Sequence, residues 1–197
     1  MDNYYKNYYK NDFRNFYITY IFILIILVVF LLMTLAGGTT KTHVLILFGA
    51  KVNPLIEAGQ YWRLLTSIFI HIGFTHLLFN TYALYILGKY SEKIFGHGKL
   101  VMLFLVSGLS GSVLSYLMSP HLSAGASGAI FGLLGAIVIY GWNNQFLRSS
   151  GLITNLMVIL GINLMLGMIL PGLDNYAHLG GLIGGSSLGA VLRLFKL

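Results

Sequence analysis

Long apolar stretches separated by short polar segments make up most of this sequence. The first stretch runs from Phe16 to Ala36 without a charged residue, and a helix needs about 20 apolar residues to cross a bilayer's hydrocarbon core. Charged residues form 9% of the chain and hydrophobic ones 57%, whereas a soluble domain carries about 25% charged residues. So few charges cannot cover a surface that faces water, and we expect most of the outer surface to face lipid.

The apolar stretches predict an all-α integral membrane protein with six transmembrane helices in one bundle. A polar tail over residues 1–15 precedes a membrane domain over residues 16–197, whose longest connection, about 37–70, mixes charged and apolar residues and is expected to lie in the outer membrane interface. A cleaved signal peptide ending near Ala36–Gly38 is the alternative for the first stretch, although that stretch is too long for a typical signal core. The predicted spans are Phe16–Ala36, Phe74–Gly88, Leu100–Met118, Ser127–Trp142, Leu152–Leu170 and Tyr176–Leu194.

The twelve Lys and Arg residues predict the orientation of the chain. With the N-terminus in the cytoplasm, nine of them fall on the inner side, and three, Lys41, Lys51 and Arg63, on the outer side. Cytoplasmic loops carry an excess of Lys and Arg, so this bias predicts that both termini are cytoplasmic. The net charge of +7 then reflects membrane topology, and no nucleic-acid partner is expected. The first residues lack the Arg-rich pattern of a transit peptide, which favours a bacterial-type cell membrane.

Polar residues stand at the start of three predicted spans. In this topology spans two, four and six begin at the outer face, with His76 and Asn80, Ser127, and His178 respectively. Ionisable residues within a membrane segment are costly to bury unpaired and are therefore candidates for function. The three helices bring these groups to one level near the outer leaflet, which predicts a shared site.

The fourth span is too short to cross the whole hydrocarbon core. A helix from Ser127 to Trp142 rises about 24 Å, against a core of about 30 Å. The segment from Pro120 to Ala126 must then descend into the membrane as irregular backbone. Such backbone is tolerated only where protein or a water-filled cavity surrounds it, so we expect a wet cavity at Ser127.

Glycine rows on spans four and six predict close packing between them. Glycines let two membrane helices approach closely, and both rows lie near the face that carries Ser127 or His178. If the rows meet, the two side chains come within hydrogen-bond reach at the outer end. The rows consist of Gly128, Gly132 and Gly135 on span four, and Gly181, Gly185 and Gly189 on span six.

These residue types suit nucleophilic hydrolysis. A serine hydroxyl becomes a useful nucleophile when a base takes its proton, and an imidazole, with an unperturbed pKa of about 6.5, is such a base for Ser127 in the form of His178. Negative charge developing on a substrate carbonyl needs donors. The free N–H groups at the helix start that carries Ser127, together with His76 and Asn80, which share one helix face, can provide them.

Acidic residues are too few to supply a clear third member. Beyond the N-terminal tail they are Glu57 in the loop, Glu92 at the opposite face, and Asp174, which stands four residues before His178 and would more naturally lie in the outer loop. We therefore predict a Ser–His dyad rather than a triad.

No metal or cofactor is expected. The chain has no cysteine, which excludes disulfides and Cys-based metal sites. His71 and His76 are five residues apart and lack acidic partners, so they do not resemble a metal site. Histidines outside the predicted site are expected to be interfacial or loop residues: His43, His71, His97 and His121.

Each feature taken alone also has a plain explanation. Serine within Gly125-Ala126-Ser127-Gly128 usually serves helix packing, and a lone His178 can be an interhelical hydrogen-bond donor. A small transporter or channel would also carry polar residues, but they should continue to the inner face, whereas spans four and six become apolar below their first turns. The joint occurrence at one depth favours the hydrolytic interpretation.

The ordered motifs resemble those of the rhomboid intramembrane serine proteases. The resemblance covers roughly residues 61–191 and implies a six-helix core with Ser127 as nucleophile and His178 as base. It implies that His76, Asn80 and the Ser127 backbone N–H stabilise the oxyanion. The matching pieces, in chain order, are Trp62-Arg63, His71-x4-His76-x3-Asn80, Glu92-x3-Gly96, Gly125-Ala126-Ser127-Gly128 and Ala177-His178-x2-Gly181-x3-Gly185.

The resemblance also implies a substrate class. Single-span or multi-span membrane proteins in the bilayer would be cut in or near a transmembrane segment, with the fifth span and a cap loop gating lateral access. Phe131 stands where many members have a tyrosine that stacks on the histidine, so the ring is kept and the hydroxyl is lost. The alternative is an inactive relative that binds membrane helices; its usual mark is loss of the serine or histidine, and both are present here.

Overall fold

Six long helices form the bulk of the computed structural model, which describes residues 12–142, 144–149, 151–169 and 172–194. Apart from one isolated bridge between Lys51 and Ser123, these residues contain no β-structure, which confirms the predicted all-α class. A 3₁₀ turn, Ser67–Phe69, precedes the second long helix. The α-helices are α1 (Tyr17–Leu35), α2 (Thr42–Phe48), α3 (Asn53–Glu57), α4 (Arg63–Thr66), α5 (Gly73–Phe95), α6 (His97–Met118), α7 (Ser127–Trp142), α8 (Gln145–Ser149), α9 (Leu152–Ile169) and α10 (Asn175–Leu194).

Not every long helix is apolar enough to count as a membrane span on its own. Over the described ranges, α1 and α6 pass by length and composition, and the segment Arg63–Phe69 with α5, bent by 89°, makes a third candidate. Helix α7 is apolar but shorter. Large apolar side chains on α1, α5 and α6 are exposed, as the scarcity of charge predicts. The count of six transmembrane helices stays a prediction.

Helix α5 is longer than the second predicted span. The predicted end at Gly88 rested on the charges that follow, yet the helix continues to Phe95 and ends at Gly96, whose φ of +82° suits glycine. Helix α5 can carry the Glu92 carboxylate in its last turns because this side chain is buried against α1 and hydrogen-bonded there. Its carboxylate accepts hydrogen bonds from the N–H groups of Ile18 and Thr19 at 3.0 Å each and from the Thr19 hydroxyl at 2.6 Å. The contact satisfies free donors at the start of α1 and fastens that helix to α5.

The connection between α1 and α5 is folded rather than a simple interfacial loop. It contains α2, α3 and α4, and two of its three predicted outer cations are buried, Lys51 at 1% and Arg63 at 5% exposed, whereas Lys41 is exposed. Arg63 Nη1 donates to the backbone carbonyls of Ile46 at 2.8 Å and Ala50 at 3.2 Å. The two buried cations therefore join backbone segments together.

Helix α10 packs in close contact with both α6 and α7, and glycines make this possible. A Cβ on Gly181 would collide with the backbone of Gly128, and one on Gly185 would collide with the backbone of Gly132. The predicted glycine seam between the fourth and sixth spans is therefore present. It holds the N-terminal ends of α7 and α10 side by side, where both predicted catalytic residues lie.

Candidate active site

Ser127 and His178 meet at the starts of their helices. Ser127 is the first residue of α7, His178 lies in the first turn of α10, and Nε2 of the imidazole is 2.9 Å from the serine Oγ. The imidazole belongs to a buried residue, 6% exposed. With Nε2 unprotonated, the hydroxyl donates its hydrogen bond to the ring, which is the geometry a general base needs.

Phe131 fixes the plane of the imidazole. It lies one turn after Ser127 on α7, and its ring stacks on that of His178 with centroids 4.3 Å apart and planes 5° from parallel. Phe131 is itself buried at 8% exposed. The stacking leaves the imidazole able to rotate little, so Nε2 stays directed at the serine.

Asp174 does not contact the imidazole as a third catalytic member. Its Oδ2 accepts a hydrogen bond from the Ser115 hydroxyl at 2.5 Å, and its Oδ1 accepts one from the Ala177 N–H at 3.0 Å. The Nδ1 of His178 is buried and has no hydrogen-bond partner among the described residues. Within that part of the chain the arrangement consists of two residues.

His76 lies near Ser127 from α5. A Cβ on Gly125 would lie 2.8 Å from His76 Nε2 and 3.8 Å from Ser127 Oγ, so the space left by the missing side chain of Gly125 borders both the imidazole and the hydroxyl. Gly125 has a φ of +142°, a conformation that side chains disfavour. One N–H of the Asn80 amide bonds to the His76 carbonyl at 3.0 Å, and the amide has a second.

His71 supports this site, although sequence reasoning placed it among the interfacial and loop histidines. It does lie in a loop, before α5, but it is 0% exposed, with its ring centroid 5.1 Å from that of His76. Its Nε2 accepts a hydrogen bond from the Ala126 N–H at 3.4 Å. The signals available in the sequence were the spacing of five residues to His76 and the place of His71 in the matching motif His71-x4-His76-x3-Asn80, and neither reveals burial.

The comparisons with known proteins agree with one another. Residues 58–195 match the family model described as the Rhomboid domain. The chain is 48% identical over 167 residues to the Rhomboid protease GluP of Bacillus subtilis (strain 168), covering 84% of this chain and 32% of that protein. It is 41% identical over 149 residues to RHOMBOID-like protein 4 of Arabidopsis thaliana, covering 74% and 38%. It is 38% identical over 145 residues to RHOMBOID-like protein 6, mitochondrial, of the same plant, covering 72% and 47%. The chain spans less than half the length of each of these relatives.

Proposed function

Since the chain belongs to the rhomboid family, we propose that it is an intramembrane serine endopeptidase that hydrolyses a peptide bond in or near a transmembrane segment of another membrane protein. The observation that carries the proposal is the 2.9 Å hydrogen bond between Ser127 Oγ and His178 Nε2. A half-buried serine in contact with a buried imidazole at the starts of two helices has the parts of a nucleophile and its base.

In the proposed reaction Ser127 attacks the scissile carbonyl while His178 takes its hydroxyl proton. The tetrahedral intermediate collapses when the imidazolium returns that proton to the leaving amine, which leaves an acyl-serine. Water then attacks the ester with His178 again acting as base, and the carboxylic product departs. The stacked ring of Phe131 keeps the imidazole in position through both steps.

The oxyanion would be stabilised from two sides. The Ser127 N–H stands at the start of α7, where helix donors are unpaired and the helix dipole favours negative charge. His76 lies beside Gly125, near the serine, and Asn80 lies one turn along α5 with an amide hydrogen to offer. In the proposed mechanism these groups donate to the carbonyl oxygen after attack.

For the membrane arrangement, we propose six spans with residues 1–15 and the C-terminus in the cytoplasm. The active site then lies below the outer surface, and the substrate reaches it sideways past α9 and the neighbouring loop. In support of this path, α9 packs mainly against α7 and α8 and carries several exposed apolar side chains. An intact helix hides its carbonyls, so glycine or other helix-breaking residues near the cut would lower the cost of exposing the bond.

A serine-directed probe tests the proposal. Purified protein reconstituted in lipid vesicles should be labelled by a fluorophosphonate at Ser127, located by mass spectrometry of the labelled peptide. It should also cut a single-span reporter protein. Folded protein that neither labels nor cuts would favour the alternative of an inactive membrane-helix-binding relative. Labelling at another serine would overturn the assignment of the nucleophile.

Replacement of His76 tests the oxyanion assignment. His76→Ala is expected to lower kcat about 100-fold, with a much smaller change in KM, because the lost donor acts on charge that exists only in the transition state. The measurement is steady-state cleavage of the reporter in vesicles. His43→Ala, which removes an exposed imidazole from α2, is the matched control and should leave kcat unchanged. Equal effects from the two variants would contradict the role of His76.

A further inference from the structure

Asp174 stands at the start of the helix that carries His178, and the mechanism above leaves it without a role. The bond from the Ala177 N–H to its Oδ1 is an N-terminal cap of α10, since that N–H is one of the helix's unpaired first donors. The backbone carbonyl of Asp174 accepts a hydrogen bond from the His178 N–H at 3.1 Å. Asp174 therefore determines where α10 begins and so where His178 lies.

The same carboxylate also bonds to α6. The Ser115 hydroxyl on α6 donates to Asp174 Oδ2 at 2.5 Å. One carboxylate is thus bonded both to α10 and to α6. The segment before α7 is held separately, since Ser123 pairs with Lys51 through two backbone hydrogen bonds, of 2.9 Å and 3.1 Å.

Lys51 supplies the opposite charge to this junction. It is 1% exposed, and its ammonium donates to the backbone carbonyls of Ser119 at 2.6 Å and His121 at 3.0 Å. Burial lowers the pKa of Lys51, and the charge of Asp174 acts in the opposite direction. Burial raises the pKa of Asp174, but the hydrogen bonds and Lys51 outweigh it, so this pKa lies below its usual range. The two charges attract each other without forming a direct ion pair in the described part of the chain.

We propose that Asp174 is a positioning residue that keeps His178 in register with Ser127 by capping the start of α10 and fixing it to α6. The proposal rests on the proteolytic function proposed above. Asp174 acts through the backbone of α10 and through Ser115, so its loss misplaces the pair while both catalytic side chains remain.

Removal of the charge alone tests this role. Asn caps helices as well as Asp does, so Asp174→Asn preserves the cap and replaces the carboxylate oxygen that accepts from the Ser115 hydroxyl with an amide group. We expect kcat and the rate of fluorophosphonate labelling to fall about 10-fold to 100-fold with KM unchanged, because a displacement of about 1 Å between reacting groups has this effect.

Asp12→Asn is the matched control. Asp12 forms an ion pair with Lys89 on α5, at 2.7 Å and away from the site. Loss of the Asp12 charge should therefore leave kcat unchanged. All rates are measured on the folded fraction, determined by circular dichroism in the same vesicles. An unchanged kcat in Asp174→Asn, or a loss matched by Asp12→Asn, would overturn the positioning role.

Ser115→Ala provides a second measurement if Asp174→Asn does not fold. It removes only the hydroxyl that donates to Oδ2, and kcat should fall several-fold at constant KM; an unchanged kcat in folded Ser115→Ala also overturns the proposal. Failure of the proposed function is seen separately, because the wild-type protein would then neither label at Ser127 nor cut the reporter.

Discussion

Ser127→Ala is expected to lower cleavage of a reconstituted membrane substrate by about 10⁴-fold or more and to abolish labelling by a fluorophosphonate. The substitution removes the atom that would form the acyl bond and leaves the small-residue packing at the start of α7 intact. The protein should therefore remain folded. Cleavage is followed by the appearance of product in vesicles over hours, so that a residual rate of this size can be measured.

His178→Ala should cause a loss of similar size, and the two substitutions should not add. A nucleophile and its base act as a unit, so the double variant should be no slower than either single one. Ser107→Ala is the matched control: this serine on α6 is also buried, faces α7, and its hydroxyl has no hydrogen-bond partner among the described residues. Multiplicative losses in the double variant, or a loss in Ser107→Ala as large as in Ser127→Ala, would argue against the dyad.

Gly181→Ala is expected to have the largest effect among substitutions that leave the catalytic side chains unchanged. A Cβ on Gly181 would overlap the backbone of Gly128, which cannot move as a side chain can. Helix α10 must then shift away from α7, at a cost of about 3 kcal/mol in the free energy of unfolding. The shift lengthens the Ser127–His178 hydrogen bond, and kcat should fall about 100-fold.

Both effects are measurable in mild detergent, by the thermal unfolding midpoint and by the labelling rate at a temperature where the variant is folded. Gly161→Ala is the matched control, because a Cβ there meets nothing within 4 Å in the middle of α9. It should leave activity unchanged and stability equal or higher, since alanine favours a helix more than glycine does. If Gly181→Ala behaves like Gly161→Ala, the glycine seam does not hold the active site together.

Much of the helix layout follows from the sequence. The start and end of α7 agree with the prediction from Ser127 to Trp142, because an irregular segment precedes it and its apolar run ends at Trp142. Helix α5 continues past the predicted end of the second span at Gly88 and includes Glu92. In the structure its carboxylate is satisfied by the first turn of α1, a contact between distant parts of the chain that local pattern cannot reveal.

The candidate site shows the same division. The positions of polar residues at the starts of three predicted spans were enough to predict that Ser127, His178 and His76 lie at one level. Such residues are costly to bury unpaired, so their presence indicates a shared site. The support of the site was missed. Lys51 was predicted to face the membrane interface and is buried, and Asp174 was weighed only as a partner of the imidazole, whereas it caps the helix that carries it.

By itself, the sequence determined that this chain forms apolar helices and that a serine and histidines stand near the starts of three of them. Helix length depends on local runs of residues, and motif order can be read along the chain. Only the tertiary structure decided which side chains meet: the stacking of Phe131 on His178, the burial of His71, and the bonds from Ala177 and Ser115 to Asp174. Those contacts depend on how the helices and loops pack against one another. Residues far apart in the sequence come together there, and their separation along the chain does not predict which of them meet.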